Sequence, residues 1–206
     1  MKKIAIIGCG GINSWFVMHL KEVLILFDKN EDISLVTLFD EDFVEEKNLL
    51  RKNQNFEIEN LMENKAEILA NRYKFMCNKV FITEQNLNLL DNCDDIILGV
   101  DNNKTRQMIY QYCHKNKKYL LDLRAQGTQM AFYVLDNKKP LEYYENKLFS
   151  SKEVMERKGS CQLTEDIENN HIENANKIIA FIGAYGIYFK HLRDEETSTN
   201  EWKFAY

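Results

Sequence analysis

Short apolar runs and helical stripes alternate along this 206-residue chain. KKIAIIG is a brief apolar run closed by glycine, the pattern of a strand buried on both faces of a parallel sheet. Phe16, Leu20, Val23, Leu24 and Phe27 then recur at helical spacing, which predicts a helix from about Ile12. DKNED breaks the stripe, and ISLVTLF predicts a second strand ending at Asp40. The polar stretch EEKNLLRKNQNF reads as a loop or short helix. Helical periodicity returns from Ile58 to about Met76, with Leu61, Ala66, Leu69 and Tyr73 in register. KVFIT predicts a third strand, DDIILGVD a fourth, NKTRQMIYQYCHKNK a helix and YLLDLRA a fifth strand. QGTQMAFYVLD has strand composition after a glycine-containing turn, so an antiparallel hairpin is expected there.

Periodicity weakens from Asn137 to about Asn170, around the single proline, Pro140. Residues 137–171 therefore read as a mobile or irregular insertion. IENANKIIAFIGAYGIYFKHLRDE restores an apolar helix from roughly Ile172 to Leu192. Gly183, Ala184 and Gly186 within it suggest close packing against another helix or a partner chain. The aromatic residues of WKFAY are free either to dock or to stay loose.

Strands alternating with helices predict a doubly wound, Rossmann-like α/β fold. The sheet is expected to be mostly parallel, with helices on both faces and a C-terminal antiparallel extension, all of 1–206 forming one domain. Right-handed crossovers would bring the strand ends after Ile7, Phe39 and Val100 to one edge. Gly8, Asp40 and Asp101 would then line one crevice, where ligands of such sheets bind.

Composition narrows the class. Hydrophobic residues make up 45% and charged residues 29%, as in a soluble globular chain. A net charge of −5 argues against nucleic acid or an anionic membrane as partner. No signal-like or spanning segment is visible, so no membrane role is expected. The five cysteines are odd in number and contain no C-x-x-C pair, which disfavours disulfides and a four-cysteine zinc site and points to the cytoplasm.

The candidate chemistry gathers at the strand ends. Gly8, Gly10 and Gly11 follow a strand and open a helix, where backbone N–H groups and the helix dipole can face a polyphosphate. The same glycines could simply permit strand–helix packing. Asn13 stands where dinucleotide fingerprints often have a glycine. Asp40 can accept hydrogen bonds from both ribose hydroxyls, with Asp42 next on the same side; either could also be a solvated loop acid. Arg51 can bridge phosphate oxygens, and Lys65 can neutralise a leaving pyrophosphate, though a lysine on an amphipathic helix is usually only solvated. Asp101 can hold Mg²⁺ near phosphates. Asn102 reads as an N-cap of the next helix, with Arg106 on that helix's surface. Cys161, in KGSCQ, is the cysteine outside predicted regular elements and so the expected accessible thiol, whereas Cys77, Cys93 and Cys113 are expected to pack as small apolar residues.

Taken together, IIGCGGINS, LFDEDFVEEKNLLRKNQ, NKAEILANRY and IILGVDNNKTR resemble the ThiF/MoeB adenylyltransferase family, relatives of the ubiquitin-activating enzymes. The likeness runs from Lys3 to about Leu135 and resumes in the glycine-containing helix, and it looks closest to the compact plasmid- or phage-borne members. It implies ATP and Mg²⁺, a homodimer, and adenylation of the C-terminal carboxylate of a small ubiquitin-like or sulfur-carrier protein, or of a peptide; the paired C-x-x-C zinc ligands common in that family are absent here, so no zinc is expected. It implies that Gly8, Gly10 and Gly11 form the phosphate turn and Asp40 holds the ribose. Asn48 and Arg51 of the NLxR motif, and Lys65 of the KA motif, would meet the phosphates, with Asp101 organising magnesium. Cys161 loosely matches the cysteine that some members use after adenylation. Two other readings stay open: a non-catalytic partner subunit of the same fold, and a nicotinamide-dependent oxidoreductase, against which Asn13 and the arginine-bearing loop count.

Overall fold

The computed structural model describes residues 2–26, 35–49, 53–135, 139–149, 171–195 and 201–205. Among them a seven-stranded sheet runs in the order β3-β2-β1-β4-β5-β6-β7. Its strands are β1 (Ile4–Ile7), β2 (Val36–Phe39), β3 (Met76–Asn78), β4 (Asp95–Leu98), β5 (Tyr119–Gln126), β6 (Gln129–Leu135) and β7 (Glu201–Ala205). The first five are parallel, and β6 and β7 add antiparallel. The predicted fold class is the observed one. The C-terminal aromatic segment docks as β7, and the β5–β6 hairpin turns at Gly127, whose φ of 55° lies in the left-handed region that glycine tolerates.

Strands β1 and β4 are all-apolar or nearly so because both faces are covered. On one face lie α1 (Gly11–Leu26), α3 (Lys65–Tyr73) and the C-terminal rod, with Phe16, Leu20, Leu38, Leu69, Leu123 and Ile179 in one core. The rod comprises α6 (His171–Phe181), a π-helical stretch Ile182–Tyr188, and α7 (Phe189–Leu192). On the other face α4 (Asn103–Lys115) and α5 (Leu141–Leu148) enclose Ile7, Ile96, Ile109, Tyr110, Leu120 and Tyr144. The short α2 (Glu46–Leu49) follows β2. No helix among the described residues is long and apolar enough to cross a membrane.

Several local expectations change. The helix predicted over Ile58–Met76 starts only at Lys65, because Asn64 caps it by accepting from the Glu67 N–H at 3.0 Å. Ile58 and Met62 stay exposed, so their helical spacing carries no packing. Lys74 closes α3 in the left-handed conformation, and β3 forms two residues later rather than at KVFIT. The KVFIT backbone is engaged by Asn86, which donates to the Phe81 carbonyl at 2.9 Å and accepts from the Thr83 N–H at 2.7 Å. That side chain offers local partners in place of a sheet ladder. Leu141–Leu148, inside the stretch that lacked clear periodicity, is a helix whose Tyr144 and Leu148 are buried. Gly183 packs closely, but against the sheet: a Cβ there would stand 2.9 Å from a Leu123 methyl. Tyr188, near the end of the same rod, is buried and donates to Asp95 at 2.8 Å. Cys77 is exposed on β3, the edge strand of the sheet among the described residues.

Candidate functional site

Register fixes the mouth of the sheet. Ile7 pairs with Phe39 on one side and Leu98 on the other, so the residues leaving β1, β2 and β4 emerge side by side. Gly8, Asp40 and the Gly99–Asp101 segment therefore share one edge, as the crossover argument requires.

The glycine turn is built by three different constraints. Gly8 has a φ of 81°, and a Cβ on it would lie 2.9 Å from Val100 Cγ1 and 3.2 Å from the Gly99 carbonyl oxygen. Gly11 faces Asn176 of α6, whose Nδ2 would be 2.6 Å from an added Cβ. Gly10 faces open space: an added Cβ would meet nothing within 4 Å. The turn is thus packed from behind and below, and its open side is at Gly10. Asn13 replaces the fingerprint glycine as a buried plug, donating to the Gly8 carbonyl at 2.8 Å and the Ile7 carbonyl at 3.2 Å. A Cβ on Gly99 would fall 2.5 Å from that carboxamide, so Gly99 is matched to Asn13.

Asp40 is buried directly under this turn. One carboxylate oxygen accepts from the Cys9 N–H at 2.6 Å and the other from the Asp42 N–H at 2.8 Å. Burial pushes the Asp40 carboxyl up, against the opposing effect of these two backbone bonds and the nearby Lys65 charge. Its proton uptake on acidification therefore begins at a higher pH than for an ordinary aspartate. Since only the ionised form leaves all its lone pairs as acceptors, nucleotide affinity is expected to weaken as pH falls through that raised value. Asp40→Asn should flatten this limb of an affinity-versus-pH titration; an unchanged limb would show that another group titrates. The linkage sign is the reverse for folding: a raised carboxyl pKa makes Asp40 lower stability as pH rises from its unfolded value through its folded one.

Lys65 opens α3 and is only 7% exposed, not solvated. Its Nζ pairs with Asp42 at 3.1 Å. The loop carrying Asp42 is fixed to the start of α3 by the Lys65 N–H donating to the Asp42 carbonyl at 2.9 Å. Asn64 adds bonds from its Nδ2 to the carbonyls of Asp40 at 3.0 Å and Asp42 at 3.1 Å. Lys47, paired with Glu45 at 2.6 Å, has its pKa raised first by that bond and further by the charges of Asp42 and Asp101, which sets both acids within its electrostatic reach. The Cys9 thiol, raised by burial and next by Asp40, also senses Lys65. Asp40, Asp42 and Lys65 thus gather beside the turn, and Asp101, exposed, follows three residues after β4 leaves the same sheet edge. Asn102 caps α4 as expected, accepting from the N–H groups of Lys104 at 2.8 Å and Thr105 at 3.2 Å.

Asn48 is buried, and its side-chain oxygen accepts from the Glu45 N–H at 2.9 Å, so its observed contact shapes α2. Arg51 and Cys161 lie outside the described residues. Arg106 is not on the surface of α4: it is buried and paired with Asp122.

Sequence reasoning passed over the asparagines that assemble the mouth. Asn64 joins the two acidic residues to α3. Asn55 ties its loop to α1, accepting nothing there but donating to the Ser14 carbonyl at 3.1 Å while its N–H meets Ser14 Oγ at 3.0 Å. Asn176 donates to the Asn53 carbonyl at 3.1 Å. Nothing in their composition separates them from ordinary surface asparagines; only Asn64, three residues ahead of Glu67 at a helix start, carried a capping signal.

Among the described cysteines Cys9, Cys93 and Cys113 are buried and their thiols are raised chiefly by burial, which keeps them protonated. Brief iodoacetamide treatment followed by mass mapping is expected to label Cys77 and to spare those three. Label on Cys9 at an equal rate would contradict the packing of the turn.

This arrangement can hold a polyphosphate at Gly10, present a carboxylate at Asp40 to a ribose, and offset anionic charge with Lys65. Among the described residues no three His, Cys, Asp or Glu side chains form a metal cluster. Asp101 does fit magnesium, which takes one or two carboxylates and completes its shell with phosphate oxygens and water.

Comparisons with known proteins bear on the fold. The ThiF family model matches residues 1–199. No curated protein matches. Among solved structures, E. coli MccB with ATP superposes at a TM-score of 0.72 and 19% identity, covering 100% of this chain and 60% of that one. E. coli MccB with AMPCPP and MccA gives 0.70 and 16%, again covering 100% and 60%. PaaA gives 0.65 and 16%, covering 100% and 69%. The chain thus spans about three fifths of the MccB chains it matches, and at these identities the likeness concerns the fold.

Proposed function

The chain belongs to the ThiF family, and from that premise we propose that it is an ATP-dependent adenylyltransferase. It activates the C-terminal carboxylate of a small ubiquitin-like or sulfur-carrier protein, or of a peptide, as an acyl-adenylate. The observation that carries this reading is the gathering of an open glycine turn, a buried Asp40, a paired Lys65 and an exposed Asp101 at one sheet edge. A nucleotide-binding sheet needs only the first two. A lysine and a further carboxylate beside the phosphates add what phosphoryl chemistry needs.

The substrate carboxylate is already the nucleophile, so no protein base is required. One of its oxygens bonds to the α-phosphorus while the bond from that phosphorus to the bridging oxygen breaks, and pyrophosphate leaves with the electron pair. Lys65 and Arg51 would offset the charge that builds on the phosphates, and Asp40 would fix the ribose so that the α-phosphorus lies over Gly10. Magnesium at Asp101 would supply further charge neutralisation. The crystal structures of E. coli MccB with ATP, and with AMPCPP and MccA, support a nucleotide and a second molecule on this fold. A homodimer remains our proposal; exposed Phe181 and Ile178 beside Tyr185 on the rod support it.

The test is exchange of labelled pyrophosphate into ATP by the purified protein, with candidate carboxylates drawn from small proteins and peptides encoded next to it. Exchange dependent on one of them and lost in Asp101→Ala is expected. Nucleotide binding with no exchange for any such carboxylate would overturn the proposal and favour a non-catalytic subunit.

A further inference from the structure

Arg106 lies one turn into α4 and is 6% exposed. Its guanidinium pairs with Asp122 of β5, which is fully buried, and donates to the Val100 carbonyl. It also reaches the Leu123 carbonyl at 3.4 Å through one nitrogen and 3.5 Å through another. Asp122 is held in turn by the Tyr110 hydroxyl at 3.1 Å and Arg124 Nε at 2.8 Å. Register sets Leu98 opposite Asp122, so this fork ties the exit of β4 to the continuing β5 just where their ladder ends.

The position of the Val100 carbonyl matters because the same peptide unit supplies the nitrogen of Asp101. Fixing that carbonyl fixes the plane from which Asp101 departs. One residue later Asn102 is fixed as the cap of α4. Asp101 is therefore suspended between two anchored neighbours although its own side chain is at the surface. A buried ion pair contributes little net stability compared with a well-packed apolar pair. Geometry explains its presence better than stability does: a planar fork can meet a carboxylate and two carbonyls at once, and no apolar group can.

We propose that Arg106 is a positioning residue that sets the Asp101 carboxylate for a divalent cation bound with the nucleotide. The inference rests on the reading of Asp101 as the magnesium-holding residue. Mg²⁺ tolerates little departure from octahedral geometry, so a carboxylate whose backbone drifts should bind it less well. Loss of such an outer support typically weakens metal binding 10–100-fold.

The experiment measures Mn²⁺ affinity of the full chain with saturating AMPCPP, by the electron paramagnetic resonance signal of free Mn²⁺. AMPCPP affinity is measured separately in EDTA by calorimetry. Arg106→Lys keeps the buried charge but loses the fork. It is expected to weaken Mn²⁺ binding roughly 10–100-fold while metal-free AMPCPP affinity stays within about twofold. Wild-type Mn²⁺ affinity in Arg106→Lys, or an equal loss in the metal-free measurement, would overturn the inference. Asp101→Asn separates the two layers of the argument. If it leaves Mn²⁺ binding intact, the metal reading of Asp101 fails; if it abolishes binding while Arg106→Lys does not weaken it, only the positioning role fails. Should Arg106→Lys not fold, Asp122→Asn, which loosens the same fork without removing it, is judged by the same two measurements.

Discussion

Lys65→Met is expected to lower pyrophosphate exchange by roughly 10²–10³-fold while leaving the melting temperature nearly unchanged. The size of the kinetic effect is that of removing one preorganised positive group from a site where negative charge develops. The small thermal effect follows from the asymmetry of the pair. Lys65 has a 9% exposed side chain, but its partner Asp42 is 68% exposed. Deleting the lysine therefore leaves behind a carboxylate that water can solvate, not a stranded buried charge. Methionine keeps the aliphatic stem that α3 buries, so lost packing does not confuse the result. The measurement is exchange kinetics at saturating ATP beside a thermal melt. A rate within threefold of wild type would remove Lys65 from the chemistry; a collapse in stability would mean that its burial is structural.

The second large effect contrasts two glycines at the mouth. Gly99→Ala should destabilise the fold by roughly 3 kcal/mol, the scale of forcing a methyl into a packed core and disturbing a buried hydrogen-bonded group. The added carbon would fall 2.5 Å from the Asn13 carboxamide, which is itself fully buried and held by the Ile7 and Gly8 carbonyls. For a chain of this length that corresponds to a fall in melting temperature of roughly 6–12 °C. Gly10→Ala adds the same methyl into open space and should leave the melting temperature within about a degree or two. Its cost should appear as at least tenfold weaker ATP binding, because the methyl would fill the open side of the turn, where the proposed function puts the phosphates. Calorimetric titration of both variants decides the matter. Tight ATP binding by Gly10→Ala would mean that the phosphates lie elsewhere.

Sequence pattern was most informative where burial on two faces leaves an uninterrupted apolar run. That is why β1, β4 and β5, and the crevice at their ends, were legible. It was least informative where a single polar side chain redirects the backbone. Asn64 delays α3, and Asn86 holds the KVFIT segment out of the sheet; in both cases the apolar spacing was present but the local hydrogen bond prevailed. The candidate residues Gly10, Asp40 and Lys65 were legible because they sit at strand and helix boundaries, which motifs mark. Arg106 faces inward rather than to the surface of its helix because it pairs with Asp122, sixteen residues on in the strand that follows, and pairing at that range leaves no periodic signature. The close contact beneath Gly11 was equally invisible, since Asn176 comes from the far end of the chain.

The C-terminal rod carries a final implication. Near its start Asn176 touches the glycine turn, and at the end of its π-helical stretch and just past it Tyr188 and His191 meet Asp95 at the opposite end of the sheet, at 2.8 and 3.1 Å. Each π turn takes one more residue than an α turn, so the stretch sets the angular phase of everything after it. Removing one residue from Ile182–Tyr188 would swing the following side chains about 100° around the axis. Tyr188 would then face away from Asp95 while Asn176 kept its place. The wide turns thus act as a gear tooth, letting a single helix clasp both rims of the molecule.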